Sequence, residues 1–210
     1  MRFILVMLLL SSFVAGCQSE DKATKHIFYL HGRIIEVQGV DAVSEKFGEY
    51  HYNDIIDSLK STGAVIHNEV RTTQTDFQTF CIRTSGEIDR LIAKGVKPED
   101  VTVIGASKGA VMAMNISNMN IHPVNYVLLA ANNAYIEREQ QWNLHGRILG
   151  IYERSDSLAG RPYDHWITVS SNAVEFEQIE INTGLGHGFL YQPLEAWLRP
   201  VKKWMYAGGL

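Results

Sequence analysis

The ten residues VTVIGASKGA, Val101 to Ala110, carry a β-branched run straight into a Gly-Ala-Ser-Lys-Gly turn. Val101, Thr102, Val103 and Ile104 read as a buried strand, and Val111, Met112, Met114 and Ile116 beyond the turn read as a helix. Two roles compete for Ser107: a nucleophile held on a tight turn, or a plain N-cap of the following helix. The bare pattern G-x-S-x-G decides little, since ordinary Gly and Ser usage yields it by chance in roughly one chain in fourteen of this length. Its context weighs more, because a nucleophile elbow needs a strand before it and a helix after it. Glycine at 105 and 109 suits a turn with no room for side chains beside the serine. The helix N-terminus beneath the hydroxyl favours developing negative charge.

Working outward, HIFYL (26–30), AVIHNEV (64–70), VNYVLLA (124–130) and RILGIYE (147–153) are further β-rich runs. AVEFEQIEI (173–181) alternates but slips phase near Gln178, the pattern of a half-exposed edge strand with a bulge. Helical spacing separates them. Ile55, Ile56 and Leu59 share one face of a helix that closes on Gly63. Phe77, Phe80, Cys81, Ile88, Leu91 and Ile92 share another between Asp76 and Lys94, stopped by Gly95 and Pro98. A last helix from Pro193 to Met205 turns Leu194, Trp197, Leu198, Val201, Trp204 and Met205 inward, with a kink expected at Pro200. Six strands alternating with helices predict an α/β domain over residues 26–210: a mostly parallel sheet with helices on both faces. Ligands of such sheets sit beyond the carboxyl ends of the strands.

A serine hydroxyl needs a base to take its proton. Of the eight histidines, His187 is best placed, in the glycine-rich loop GLGHGFL between the last strand and the last helix. His26 and His67 fall inside strands and read as structural. His122, His145 and His165 fall in connecting loops and are lesser candidates. The base in turn needs a carboxylate to orient its ring. Asp156, in the loop RSDSLAG three residues past a strand end, has that reach; Glu153 is the nearest competitor but abuts the strand.

In the order Ser107, Asp156, His187 the chain resembles a small α/β-hydrolase. YLHGR (29–33) is similar to the segment after that fold's third strand, GASKG to its nucleophile elbow, YERSD to its acid loop and GLGHG to its histidine loop. The resemblance implies a catalytic triad of these three residues. It also implies an oxyanion hole formed by the backbone N–H groups of Lys108 and Arg33, with no metal or cofactor. Only about nine residues separate Cys17 from the first strand, so the fold's usual opening strands have no room. The roughly sixteen residues between Ala130 and Arg147 leave space for a helix and turns but no cap domain. The long segment Arg33–His51, with Val37, Val40, Phe47 and Tyr50, is either a substrate-contacting loop or packed surface.

The chain has 210 residues, 46% hydrophobic and 20% charged, with a formal net charge of −4. That bounds one globular domain with an ample core, and the scattered Lys and Arg argue against nucleic-acid binding. The start MRFILVMLLLSSFVAGC has a charged residue, a short apolar run and small residues before Cys17, as a secretory signal does. The tetrad Val14-Ala15-Gly16-Cys17 resembles the lipobox of bacterial lipoproteins. By that resemblance residues 1–16 are a signal peptide, Cys17 carries lipid and residues 17–25 form a tether. Gln18 then points to the outer membrane of the cell envelope. With Cys17 acylated, Cys81 has no partner and reads as a small core residue. The function expected is a serine hydrolase acting on a small-molecule ester or related acyl substrate. A lipid-anchored binding protein on a hydrolase scaffold and an envelope acyltransferase are the alternatives. Trp142, Trp166, Trp197 and Trp204 could mark a partner surface, although core packing is expected for the last two.

Overall fold

A computed structural model describes residues 23–206; Cys17, residues 1–16 and most of the tether lie outside the described residues. Strand β1 (His26–Leu30) leads into the short helix α1 (Arg33–Gln38). A hairpin of β2 (Val43–Ser44) and β3 (Gly48–Glu49) follows, then α2 (Tyr52–Lys60). Next come β4 (Val65–His67), α3 (Phe77–Ala93), β5 (Val101–Ala106) and α4 (Lys108–Met119). The chain continues through β6 (Asn125–Leu129), α5 (Ala134–Glu139), β7 (Gly146–Glu153) and α6 (Asp164–Val169). It ends with β8 (Ala173–Ile181), a 3-10 segment (Gly186–Tyr191) and α7 (Glu195–Tyr206). The main sheet has six strands in the order β4-β1-β5-β6-β7-β8, and every pair is parallel.

Successive residues of a strand face opposite sides of the sheet, and here both sides are buried. Ile27, Tyr29, Ile104, Val127, Leu129, Leu149 and Ile151 pack with α2 and α7 through Ile55, Leu59, Trp197 and Val201. Their neighbours Phe28, Leu30, Val103, Tyr126, Leu128 and Ile148 pack with α3, α4 and α6 through Phe80, Cys81, Met112, Met114 and Trp166. Cys81 is fully buried, and desolvation raises its thiol pKa to about 11, as suits an inert core residue. Trp166 is also fully buried and marks no partner surface, while Trp142, half-buried, packs its ring tilted against it.

Several local expectations need correction. The run 64–70 pairs with β1 over only three residues before the chain turns away, and Glu69 then meets Arg83 of α3. Strand β8 is the expected edge, but its bulge lies at Val174 rather than Gln178. Ala173 pairs with Gly146 and Glu175 with Arg147, leaving Val174 unpaired and 67% exposed. Gln178 stays in register opposite Gly150. It breaks the apolar alternation because its amide accepts from the Tyr163 N–H and donates to Asp164. His165 sits on α6, edge-on to Trp166, and not in a loop. The segment 33–51 is ordered throughout by α1, the hairpin and the bond from His51 N–H to the Tyr191 carbonyl. Between β6 and β7 there is only α5 with turns, and no cap domain.

A polar cluster is buried where β1 ends. His31 is fully buried, and its Nε2 accepts from the Arg71 backbone N–H at 2.8 Å. The proton is therefore assigned to Nδ1, which donates to the Gly32 carbonyl at 2.9 Å. The Arg71 guanidinium donates to the His31 carbonyl and to Glu36 Oε1, the latter at 3.0 Å.

Two predictions follow from this packing. A Cβ on Gly109 would lie 1.9 Å from the Leu30 carbonyl oxygen, with only backbone to yield. Gly109→Ala is expected to destabilise the fold by about 3 kcal/mol or more, lowering the melting temperature by roughly 10 °C. Burial, then the Arg71 charge, pushes the His31 pKa from 6.5 down to about 4. Between those values the unfolded chain binds the proton that the folded chain refuses. Stability therefore falls as pH drops through that window, by roughly 3 kcal/mol in all. Urea unfolding across pH 4–7 should show a shallower slope for His31→Asn than for the parent protein.

Candidate active site

The tight approach of α4 to the sheet shapes the turn at Ser107. A Cβ at Gly105 would fall 2.4 Å from the Ala110 Cα and the Gly109 carbonyl oxygen, so both glycines of the motif are required by space. Squeezed between them, Ser107 takes φ 53° and ψ −119°, a left-handed conformation rarely adopted outside glycine. Its side chain makes no capping hydrogen bond to α4. The N-cap role is thus excluded, and the hydroxyl is turned elsewhere.

It is turned to His187. The Ser107 Oγ lies 2.9 Å from His187 Nε2, and His187 Nδ1 lies 2.7 Å from Asp156 Oδ2. The carboxylate accepts from Nδ1–H, which leaves Nε2 with the lone pair facing the hydroxyl. The other carboxylate oxygen accepts from the backbone N–H of Leu158 and Ala159. The Asp156 side chain is fully buried. Burial by itself raises its pKa, but the bond to His187, the charge of that ring and the two N–H donors outweigh it and hold the group below the usual carboxylate range.

Glu153 has a different task. It is fully buried and accepts from Ser155 and Thr183, through both N–H and hydroxyl in each case. It thereby ties the loop of Asp156 to the loop of His187. Its pKa, raised by burial, ends below the ordinary value because these donors favour the charged form. The other histidines stand apart from the serine. His26 and His67 contact each other across the sheet edge, and His145 bonds Ser117 and Asn172.

Ser107 and His187 open onto a cavity of about 170 Å³ lined also by Gly32, Arg33, Ile34, Phe47, Tyr50, Leu158, Leu190 and Tyr191. The segment 33–51 supplies much of its wall. Phe47 lies 6.2 Å from the His187 ring and 5.6 Å from Tyr191 (centroid distances). Tyr50 packs tilted against Tyr191 and shares a hydroxyl contact with Tyr29. Sequence had offered Phe47 and Tyr50 as contact candidates without deciding; the signal was segment length alone.

Gly32 passes close to the serine, since a Cβ there would meet Ser107 Cβ at 3.5 Å. Arg33 and Lys108 each begin a helix, where backbone N–H groups have no intrahelical acceptor. Among the described residues neither N–H donates to a protein acceptor. No cluster of three or more His, Cys, Asp or Glu suited to a metal is found among the described residues. Chemically, the arrangement can pass a proton from hydroxyl to imidazole.

No protein-family model matches the sequence, and no curated protein matches it significantly. Solved structures do match. An esterase/lipase from an uncultured bacterium aligns over 89% of this chain and 77% of its own, with TM-score 0.59 and 14% identity. The Pyrococcus furiosus esterase Pf2001 aligns over 88% and 83%, with TM-score 0.56 and 15% identity. A Pectobacterium atrosepticum protein assigned as a YdeN-like hydrolase aligns over 88% and 92%, with TM-score 0.56 and 15% identity. At such identities the likeness speaks to architecture alone. The chain has an α/β-hydrolase-like fold, with six parallel strands in its main sheet and no cap domain among the described residues.

Proposed function

We propose that this protein is a serine hydrolase cleaving an ester or related acyl bond of a small molecule. The observation that carries the reading is the unbroken series Asp156–His187–Ser107, hydrogen-bonded at 2.7 and 2.9 Å on a strained elbow that faces a cavity. Ser107 Oγ attacks the acyl carbonyl while His187 Nε2 takes its proton, and Asp156 stabilises the imidazolium. The carbonyl oxygen gains charge between the N–H groups of Lys108 and Arg33. The imidazolium then protonates the leaving alcohol as its bond to the acyl carbon breaks. Water, deprotonated by His187, releases the acid and restores the serine. Ile34, Phe47, Leu190 and Tyr191 around a cavity of about 170 Å³ suit a compact apolar acyl group.

The reading extends to location. The tetrad Val14-Ala15-Gly16-Cys17 after a short apolar run supports a lipid on Cys17 and a place in the bacterial cell envelope, with Gln18 favouring the outer membrane.

A fluorophosphonate probe tests the chemistry: the parent protein should label and Ser107→Ala should not. Failure of the parent to label would favour a binding protein on this scaffold. Asp156→Asn should retain the fold and lose about 10³-fold or more in kcat on p-nitrophenyl butyrate, because the ring loses its tautomer and orientation. Added alcohols that divert the acyl group without raising free acid would indicate a transferase. Palmitate labelling in a bacterial host should vanish in Cys17→Ser; labelling that survives refutes the lipid anchor.

A further inference from the structure

The proposed reaction needs two N–H groups on one oxygen, yet Arg33 and Lys108 start different helices. Nothing in the covalent chain fixes their separation, since α1 and α4 lie some 72 residues apart. A single carboxylate spans the gap. Glu36, one turn into α1, has a side chain only 3% exposed. Its Oε2 accepts from the Lys108 ammonium at 2.5 Å, and its Oε1 accepts from Arg71 Nε at 3.0 Å. Arg71 in turn grips the His31 carbonyl, directly before Gly32 and Arg33.

Stability alone is a poor account of this arrangement. Desolvating the Glu36 and Arg71 charges offsets most of their attraction, and well-packed apolar residues commonly do as well. The ions are instead concentrated at the two turns that carry the donors. Lys108 occupies the second variable position of G-x-S-x-G, and its backbone N–H is itself one of the two donors. Shifts of about 1 Å in such a site can reduce rate by up to about 100-fold.

We infer that Glu36 is a positioning residue: by clasping the Lys108 side chain and Arg71 together, it holds the turns of α1 and α4 at the spacing an oxyanion requires. The inference rests on the reading of Ser107 as nucleophile. The clasp is charge-neutralising as well as geometric, so the amide Glu36→Gln loses most of it without losing volume. Lys108→Met cuts one arm and keeps the backbone donor. Lys108→Arg keeps a cation that can still reach Glu36.

The test measures three quantities on the purified parent and the variants: the second-order rate of fluorophosphonate labelling, kcat and KM for p-nitrophenyl butyrate, and the melting temperature. In labelling, the Ser107 Oγ–P bond forms, the P–F bond breaks, fluoride leaves and His187 takes the serine proton. Lys108→Met and Glu36→Gln should each label about tenfold or more slowly. Their kcat should fall in parallel and KM should stay within about twofold, since the clasp acts on the transition state and not on the acyl pocket. Lys108→Arg should recover to within about threefold of the parent. If Glu36→Gln does not fold, the two Lys108 variants carry the comparison. A folded Lys108→Met that labels within twofold of the parent overturns the inference, as does a loss that Lys108→Arg fails to restore. A parent protein that resists the probe overturns the nucleophile reading itself, and the positioning role with it.

Discussion

Helix α4 lies flush against the ends of β1 and β5, and the rest of the site depends on that contact. Its approach leaves no room for a single carbon beyond Cα at 105 or 109. The backbone between them has one way through, and it forces Ser107 into a positive φ. A strained residue persists only where its surroundings overdetermine it. Here they do: the Ser107 N–H donates to the Leu129 carbonyl, and α4 is anchored by Met112, Ala113 and Ile116 in the core. The same contact delivers Gly32 to within ordinary packing distance of the serine. One packing constraint thus aims the hydroxyl and brings up the loop opposite it.

Around this point the fold spends its buried charge. Among the described residues four of the five buried ionic side chains, Glu36, Arg71, Glu153 and Asp156, lie beyond the carboxyl ends of strands or in the loops behind them; the fifth, Asp100, sits at the opposite end of β5 and pairs with Lys25. Each carboxylate is met by hydrogen-bond donors from a segment distant in sequence. Loops cannot supply a large apolar core, so polar bonds with definite directions fix them. Glu153 joins the acid and histidine loops, Glu36 joins two helix starts, and Arg71 fastens the end of β1. Phe47 and Tyr50 then close the cavity from the segment after α1.

Much of this was legible in the one-dimensional pattern. The β-rich runs ending near Leu30, Ala106, Leu129 and Glu153 are strands within a residue or so of their expected ends, because strands buried on both faces must be largely apolar, and the run ending at Ile181 is a strand legible from its alternation. Gly63 and Gly95 sit at positive φ just past their helices, as a helix stop requires. Ser107, Asp156 and His187 could be named because each follows a strand at a place where the fold exposes its loops. Glu36 and Arg71 could not. An acidic residue in a short helix and an arginine in a polar loop look like solvent-facing charge until their partners 35 residues apart are brought together. Gln178 misled for a related reason: its inward face is polar because a loop from α6 comes down to meet it.

The amino-acid order by itself therefore determined the class of fold, the six strands of the main sheet, the approximate limits of most of them and the three residues offered as a reacting series. Those depend on local periodicity and on the few residue types that tolerate a tight turn. Only the tertiary structure decided that Ser107 caps nothing, that Glu153 braces while Asp156 meets the histidine, and that β8 bulges at Val174. It alone showed that 33–51 walls a cavity and that one carboxylate spans two helix starts. Each of these is a distance between residues remote in the chain, and such distances exist only once the sheet and its helices have closed around them.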